Sequence, residues 1–291
     1  MKRSRQRIAA AVPAAWFLWA GMFALLPFAS AARAEPVLVA AAANAQFAFA
    51  DLIGNFRRAH PEVSIKVSFG SSGNFYGQIR NGAPYDVFFS ADAAYPRKLE
   101  AAGLAAPGGK TTVYALGAMA LWVAKGFADD VRKKKFAALL RPAIKKIAIA
   151  NPRHAPYGRA AVEAMRHFGV YEKVRHRLVM GENISQAAQF ADSGAAQAGI
   201  IALSLAVSGN MKASGAYWEI PTASHRPIAQ SFLILKNGGN PQDAGAFAKF
   251  VLGPEGRSIF KRYGYRTPGG NRTPGGNRTP GGNRMPGGSN P

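Results

Sequence analysis

Cysteine is missing from all 291 residues of the chain, and acidic side chains are scarce, 15 against 37 Lys and Arg. The first absence excludes disulfides, thiolate metal sites, a cysteine nucleophile and the N-terminal cysteine on which bacterial lipoproteins are built. Histidine is thin as well. His60, His154, His167, His176 and His225 form no i, i+4 pair, so no histidine metal centre is expected. The shortage of carboxylates leaves a formal net charge of +22. Such a surface attracts anionic partners at long range, whether a small anion, a polyanion or a membrane surface.

Motifs for covalent or phosphate chemistry fail on inspection. "APGGKTT" resembles the end of a phosphate-binding loop, but the glycine such a loop needs at position 104 is Leu104. In "FGSSGN" the position two beyond Ser72 is Asn74, so there is no nucleophile elbow.

The two ends read differently from the middle. The start has four basic residues, then an apolar run, then Ala32-Arg33-Ala34 before Glu35. This predicts a secretory signal peptide over residues 1–34, the alternative being an uncleaved membrane anchor. The end, residues 266–291, repeats "RTPGGN" and then degenerates. With Pro and two Gly per unit it is expected to be a disordered tail, with an envelope-binding cationic arm as the functional alternative. The two ends hold nine basic and no acidic residues, and nine taken from +22 leaves +13 for the body.

Between Pro36 and Tyr265 apolar strands alternate with amphipathic helices. "VLVAAAA" precedes a helix with Phe49, Leu52, Ile53 and Phe56 on one face. "IKVSF" leads through Ser-Ser-Gly to a short helix with Phe75 and Ile79, and "YDVFFS" to a helix that stops at Gly103. "KKIAIA" is followed by a loop, Asn151 to Gly158, and a helix through Ala161, Ala164, Met165 and Phe168; Ile184 to Gly194 and "AGIIAL" give another helix and strand. This alternation predicts βαβ units and parallel sheets. Two β-rich stretches, "TTVYALGAMALWVAKG" and "WEIPTASHRPIAQSFLILK", read as crossings between lobes. The expected fold is therefore α/β, with two parallel or mixed-sheet lobes joined by a two-strand hinge: residues 35–116 and 220–265 in lobe I, 117–219 in lobe II.

Polar, glycine-containing junctions follow these strands: Asn44, Ser71 and Ser72, His154 to Gly158, and Asn183 with Ile184. Ligands in open α/β sheets bind beyond the carboxyl ends of strands, where helix N-termini offer unpaired N–H groups. Taken singly, Ser72 reads as a helix cap, Tyr157 as a packed loop aromatic and Ile184 as core. Their convergence on one cleft is what would make an anion site.

Five segments in order, "AAAANAQFAFADL", "SFGSSGNFYGQIRNGAPYDVFFSADAAYPRKL", "IANPRHAPYGRAAVEAM", "GENISQAAQFADSGAAQAGIIALS" and "NPQDAGAFAKFVLGPEGRSIFKRYGY", resemble the periplasmic molybdate-binding proteins of ABC transporters, a branch of the type II solute-binding fold. The resemblance spans about Pro36 to Tyr265. It implies a periplasmic, non-enzymatic and monomeric protein that closes on molybdate or tungstate and delivers it to an inner-membrane ABC permease, with no cofactor and no nucleic acid. It implies an oxyanion held by Asn44, Ser72, Tyr157 and Ile184, with Ser71 and Ala43 beside them and no direct bond from protein to metal. For Tyr157 and Ile184 the backbone N–H is the implied donor. Asn44 stands where one branch has Ser, and Ala202 where that branch has a ligand-binding Tyr. A fully deprotonated oxyanion offers only acceptors, so fixed neutral donors suit it, whereas phosphate at neutral pH would also need an acceptor. The alternatives are another oxyanion such as sulfate or thiosulfate, a lyase or transferase, for which no positioned acid, base or nucleophile is evident, and a polyanion-binding protein.

Overall fold

Two five-stranded mixed sheets organise the protein, and their central strands are apolar runs buried on both faces. The computed structural model describes residues 35–268, so the expected signal peptide and all of the tail beyond Pro268 lie outside the described residues. Along the chain come β1 (Val37–Ala42), α1 (Gln46–Ala59), β2 (Ile65–Gly70), α2 (Ser72–Arg80), β3 (Val87–Ser90), α3 (Ala94–Ala101) and β4 (Thr112–Gly117). They are followed by β5 (Met119–Ala124), α4 (Ala128–Lys134), β6 (Ile147–Ala150), α5 (Pro156–His167), α6 (Tyr171–Val174), β7 (Leu178–Gly181) and α7 (Ile184–Asp192). The remainder is β8 (Ala198–Ala202), α8 (Leu203–Ala206), α9 (Met211–Ser214), β9 (Gly215–Glu219), β10 (Ile228–Ile234), α10 (Pro241–Leu252) and α11 (Pro254–Arg262).

The first sheet has the order β2-β1-β3-β10-β4 and the second β7-β6-β8-β5-β9. In each, three adjacent strands pair in parallel and one strand runs the other way between two neighbours: β10 between β3 and β4, and β5 between β8 and β9. The chain passes between sheets twice, at Ala118 and again between β9 and β10, so two strand connections form the hinge. Each lobe has its own core. In the first, Phe49 of α1 meets Phe89 of β3 edge to face at 5.0 Å, and Phe56 meets Phe247 of α10 at 5.2 Å. In the second, Trp122 is buried and donates from Nε1 to the Met211 carbonyl at 2.9 Å.

Three boundaries differ from the sequence reading. α5 starts at Pro156, inside the stretch expected to be loop, because proline's fixed φ and missing N–H suit the first helical turn. β7 pairs in parallel with β6, although its apolar stretch is only three residues, Leu178 to Met180, too short to read as a strand. Arg266, expected in the tail, exchanges backbone hydrogen bonds with Leu116 and pairs with Glu219, so the ordered fold runs one residue further than Tyr265. Among the described residues no helix is long and apolar enough to cross a membrane.

Candidate oxyanion site between the lobes

The parallel strands of both sheets deliver their carboxyl ends to one seam, and the helices that follow begin there. Ser71 caps α2: its Oγ accepts from the Asn74 N–H at 3.4 Å and lies 2.9 Å from His154 Nδ1. Ser72, the serine expected to act as cap or ligand, is instead the first residue of the helix. It is fully buried, and its Oγ accepts from the Ala91 N–H at 2.9 Å, which leaves the hydroxyl proton to be donated elsewhere. Asn183 caps α7 by accepting from the N–H groups of Ser185 at 2.9 Å and Gln186 at 3.1 Å. Tyr157 is the second residue of α5, and Ile184 the first of α7.

Caps satisfy some first-turn N–H groups and leave others. Among the described residues no protein group accepts from the backbone N–H of Asn44, Ser72, Tyr157 or Ile184, whereas their neighbours Gly73, Gly158 and Ala187 all have carbonyl partners. All four residues are buried, as are Ala43 and Ser71. Among the described residues no Lys or Arg is buried. The donors are neutral, strengthened by the positive ends of the helix dipoles.

Contacts across the seam bring the junctions together. Ser185 Oγ, next to Ile184, donates to the Ala43 carbonyl at 3.0 Å. Gly73 N–H donates to the His154 carbonyl at 2.9 Å, three residues before Tyr157. Asn44 Nδ2 donates to Gln230 Oε1 at 3.0 Å, and Gln230 and the Tyr157 hydroxyl both crowd against Gly117, where an added Cβ would overlap both. These links join Ile184, Asn44, Tyr157 and the Ser71–Gly73 turn into one chain of contacts. Burial raises the pKa of the Tyr157 hydroxyl well above its ordinary value, so it stays a neutral O–H.

Beyond these links, further polar bonds join the lobes. Arg159 of α5 pairs with Asp92 at 2.6 Å and donates to the Tyr95 hydroxyl at 3.1 Å. Asn74 Nδ2 donates to Glu182 at 2.6 Å, and His154 Nε2 stands 3.6 Å from the same carboxylate. The lobes are therefore closed on each other. A cavity of about 200 Å³ lies beside the Arg159–Asp92 pair, lined also by Ala91, Pro156, Glu163 and Arg226.

Sequence reasoning missed Gln230, Tyr265 and Ser204, which surround Asn44 from below. Only the alternation in "IAQSFLI" hinted that Gln230 points inward; Tyr265 reaches Asn44 across 221 positions of sequence, a contact no local pattern encodes.

The sequence profile of the bacterial extracellular solute-binding proteins matches residues 37–266. The molybdate-binding protein ModA of Azotobacter vinelandii is 40% identical over 238 residues, 81% of this chain and 92% of its own length. ModA of Rhodobacter capsulatus is 41% identical over 204 residues, 70% of this chain and 78% of its own. The solved structure of the Azotobacter vinelandii periplasmic molybdate-binding protein superposes with a TM-score of 0.73 at 36% identity, covering 80% of this chain and all of the other. The two-lobed mixed α/β fold is thus that of a periplasmic binding protein, and the chain belongs to the bacterial extracellular solute-binding protein family, together with the molybdate-binding proteins of Azotobacter vinelandii and Rhodobacter capsulatus.

Proposed function

We propose that this protein captures molybdate, and with it tungstate, between its two lobes in the periplasm and presents the closed complex to an inner-membrane ABC permease. The observation that carries the reading is the convergence of four unclaimed backbone N–H groups and the Ser72 hydroxyl on one buried seam free of Lys and Arg. Asn44, Ser72, Tyr157 and Ile184 are the donors, with Ala43 and Ser71 shaping the turns that aim them. Each hydrogen bond to a charged oxyanion contributes roughly 1.5–3 kcal/mol, so several preorganised donors offset desolvation of a dianion without a countercharge. A lysine would hold any anion, whereas an all-donor cage rejects one that still carries a proton.

Closure supplies the coupling. Ser72 stands on one lobe, Tyr157 and Ile184 on the other, so only the closed state completes the donor set, and the ligand favours it. The function is capture and delivery as a monomer, not chemistry and not nucleic-acid binding, and the basic surface raises encounter rates with the anion. The test is the melting temperature of the purified protein with molybdate, tungstate, sulfate and phosphate in turn. Ligand at ~1,000 times its dissociation constant adds about 4 kcal/mol of stability, a rise of roughly ten degrees for a chain of this size. The expected result is a rise with molybdate and tungstate alone. A rise with sulfate moves the specificity to another oxyanion, and no rise with any of the four overturns the reading.

A further inference from the structure

The positive charge of the body is concentrated at one end of the second lobe. The segment 125–146, which joins β5 to β6, holds eight Lys and Arg against two Asp, and residues 166–177, from the end of α5 to the start of β7, hold four against one Glu. Twelve basic against three acidic residues give these segments +9 of the body's +13. Topology explains why the two meet. β6, β7 and β8 run parallel with their carboxyl ends at the seam and β5 runs the other way, so the segments that leave β5 and enter β6 and β7 lie at the opposite pole. Local bonds hold them there. Gln197 Oε1 accepts from the N–H groups of Lys145 at 3.1 Å and Lys146 at 2.9 Å, and the Arg177 guanidinium donates to the carbonyls of Arg141 at 3.1 Å and Ile144 at 2.6 Å.

The three carboxylates offset little of this charge. Asp130 pairs with Lys134 and Arg141, Asp129 with Arg132, and Glu172 with Arg175. Among the described residues Lys125, Lys133, Lys135, Lys145, Lys146 and Lys173 have no acidic partner, and all six are exposed. Crowded like charges repel one another, and attraction of a small anion needs only their sum, not their concentration on one face. Apolar groups border the same pole. The rings of Phe136, Phe168 and Trp218 meet at 4.8, 5.9 and 5.8 Å, the Lys135 ammonium stands 5.6 Å from the Trp218 ring, and Phe168 and Leu140 are exposed. Aromatic and leucine side chains beside lysines suit the boundary between headgroups and acyl chains, with the ammonium groups reaching back to the phosphates.

We propose that this pole of the second lobe is a docking surface for a bilayer of anionic phospholipid, the lysines meeting headgroup phosphates and Leu140, Phe168 and Trp218 the acyl boundary. The inference goes beyond capture of the anion. A protein held on the bilayer searches for a permease in two dimensions, and its cleft stays free to fill. The pole lies about a strand length from the seam, roughly 13 Å for the four residues of β6 and beyond a Debye length of ~8 Å, so lipid and oxyanion bind without disturbing each other.

Co-sedimentation of the full chain with large vesicles tests this. The parent is expected to partition at least ~100-fold more strongly into phosphatidylcholine vesicles containing about 30% phosphatidylglycerol than into phosphatidylcholine alone. Lys133→Gln, Lys145→Gln, Lys146→Gln and Lys173→Gln together are expected to remove at least ~100-fold of that preference, at roughly fivefold for each basic residue near an anionic surface. A control with Arg57→Gln, Arg58→Gln, Lys66→Gln and Lys98→Gln loses the same net charge from exposed positions of the first lobe and is expected to stay within about threefold of the parent. Both ends of the chain are the same in all three proteins, so neither end produces a difference between them. Equal loss in the two variants, or no loss in the pole variant, overturns the proposal. So does release of the parent by inorganic phosphate at constant ionic strength, or binding to duplex DNA as tight as to the vesicles. The pole variant is expected to keep the parent's melting temperature and molybdate affinity. Vesicle docking by a protein that binds no molybdate overturns the capture reading and leaves this one standing.

Discussion

Ser72 accepts one hydrogen bond, from the Ala91 N–H, and keeps its proton uncommitted, so one hydroxyl ties two strand ends together and still has a donor to offer. Replacing it by alanine removes one charge-assisted hydrogen bond of the proposed cage. We expect Ser72→Ala to weaken molybdate roughly 10- to 150-fold, the equivalent of about 1.5–3 kcal/mol, in a calorimetric titration. Affinity equal to that of the parent would place the anion elsewhere. At this scale the sequence was informative about where, and less so about how. The pair Ser71-Ser72 marked the junction, but which serine caps the helix depends on hydrogen bonds to Asn74 and Ala91 that follow from tertiary packing. Gln230 and Tyr265 were not legible because their significance comes from meeting Asn44, 186 and 221 positions away in the chain.

The working element is the helix start, used three times, in α2, α5 and α7, with each first turn keeping an N–H in reserve. For α2 that placement depends on Gly73. A Cβ there would lie 2.6 Å from the His154 carbonyl oxygen and 2.9 Å from its Cα, both backbone atoms that cannot step aside cheaply. Gly73→Ala is therefore expected to hold the start of α2 off the second lobe, to lower molybdate affinity at least tenfold by calorimetry, and to abolish the contraction on ligand addition expected of the parent in small-angle scattering. Tight binding with normal contraction would show that this approach is not part of closure. Strand and helix alternation was legible from periodicity because central parallel strands are uniformly apolar and their helices carry one apolar face. β7 escaped because its apolar stretch, Leu178 to Met180, is too short to stand out, and the first turn of α5 because the stretch from Asn151 to Gly158 reads as loop until the proline is seen at the helix start.

The whole molecule separates two tasks that a basic protein could easily merge. Among the described residues no Lys or Arg is buried, while the proposed cage is built of neutral donors. Pairs such as Arg159–Asp92 and Asn74–Glu182 span the lobes at the margin of the cleft, where partial exposure keeps their contribution modest. Two lobes with paired crossings were legible from the doubled strand–helix pattern; the strand orders were not, because β10 joins the first sheet only after the second has been completed. The central claim, that a buried neutral cage and not surface charge holds the anion, is tested most directly by titrating the protein with molybdate in a calorimeter at low and at high salt. Buried contacts are screened far less than exposed charges, so the account predicts one site per chain with a dissociation constant that rises by no more than about threefold. A dissociation constant climbing by orders of magnitude with salt, or several weak sites per chain, would contradict it.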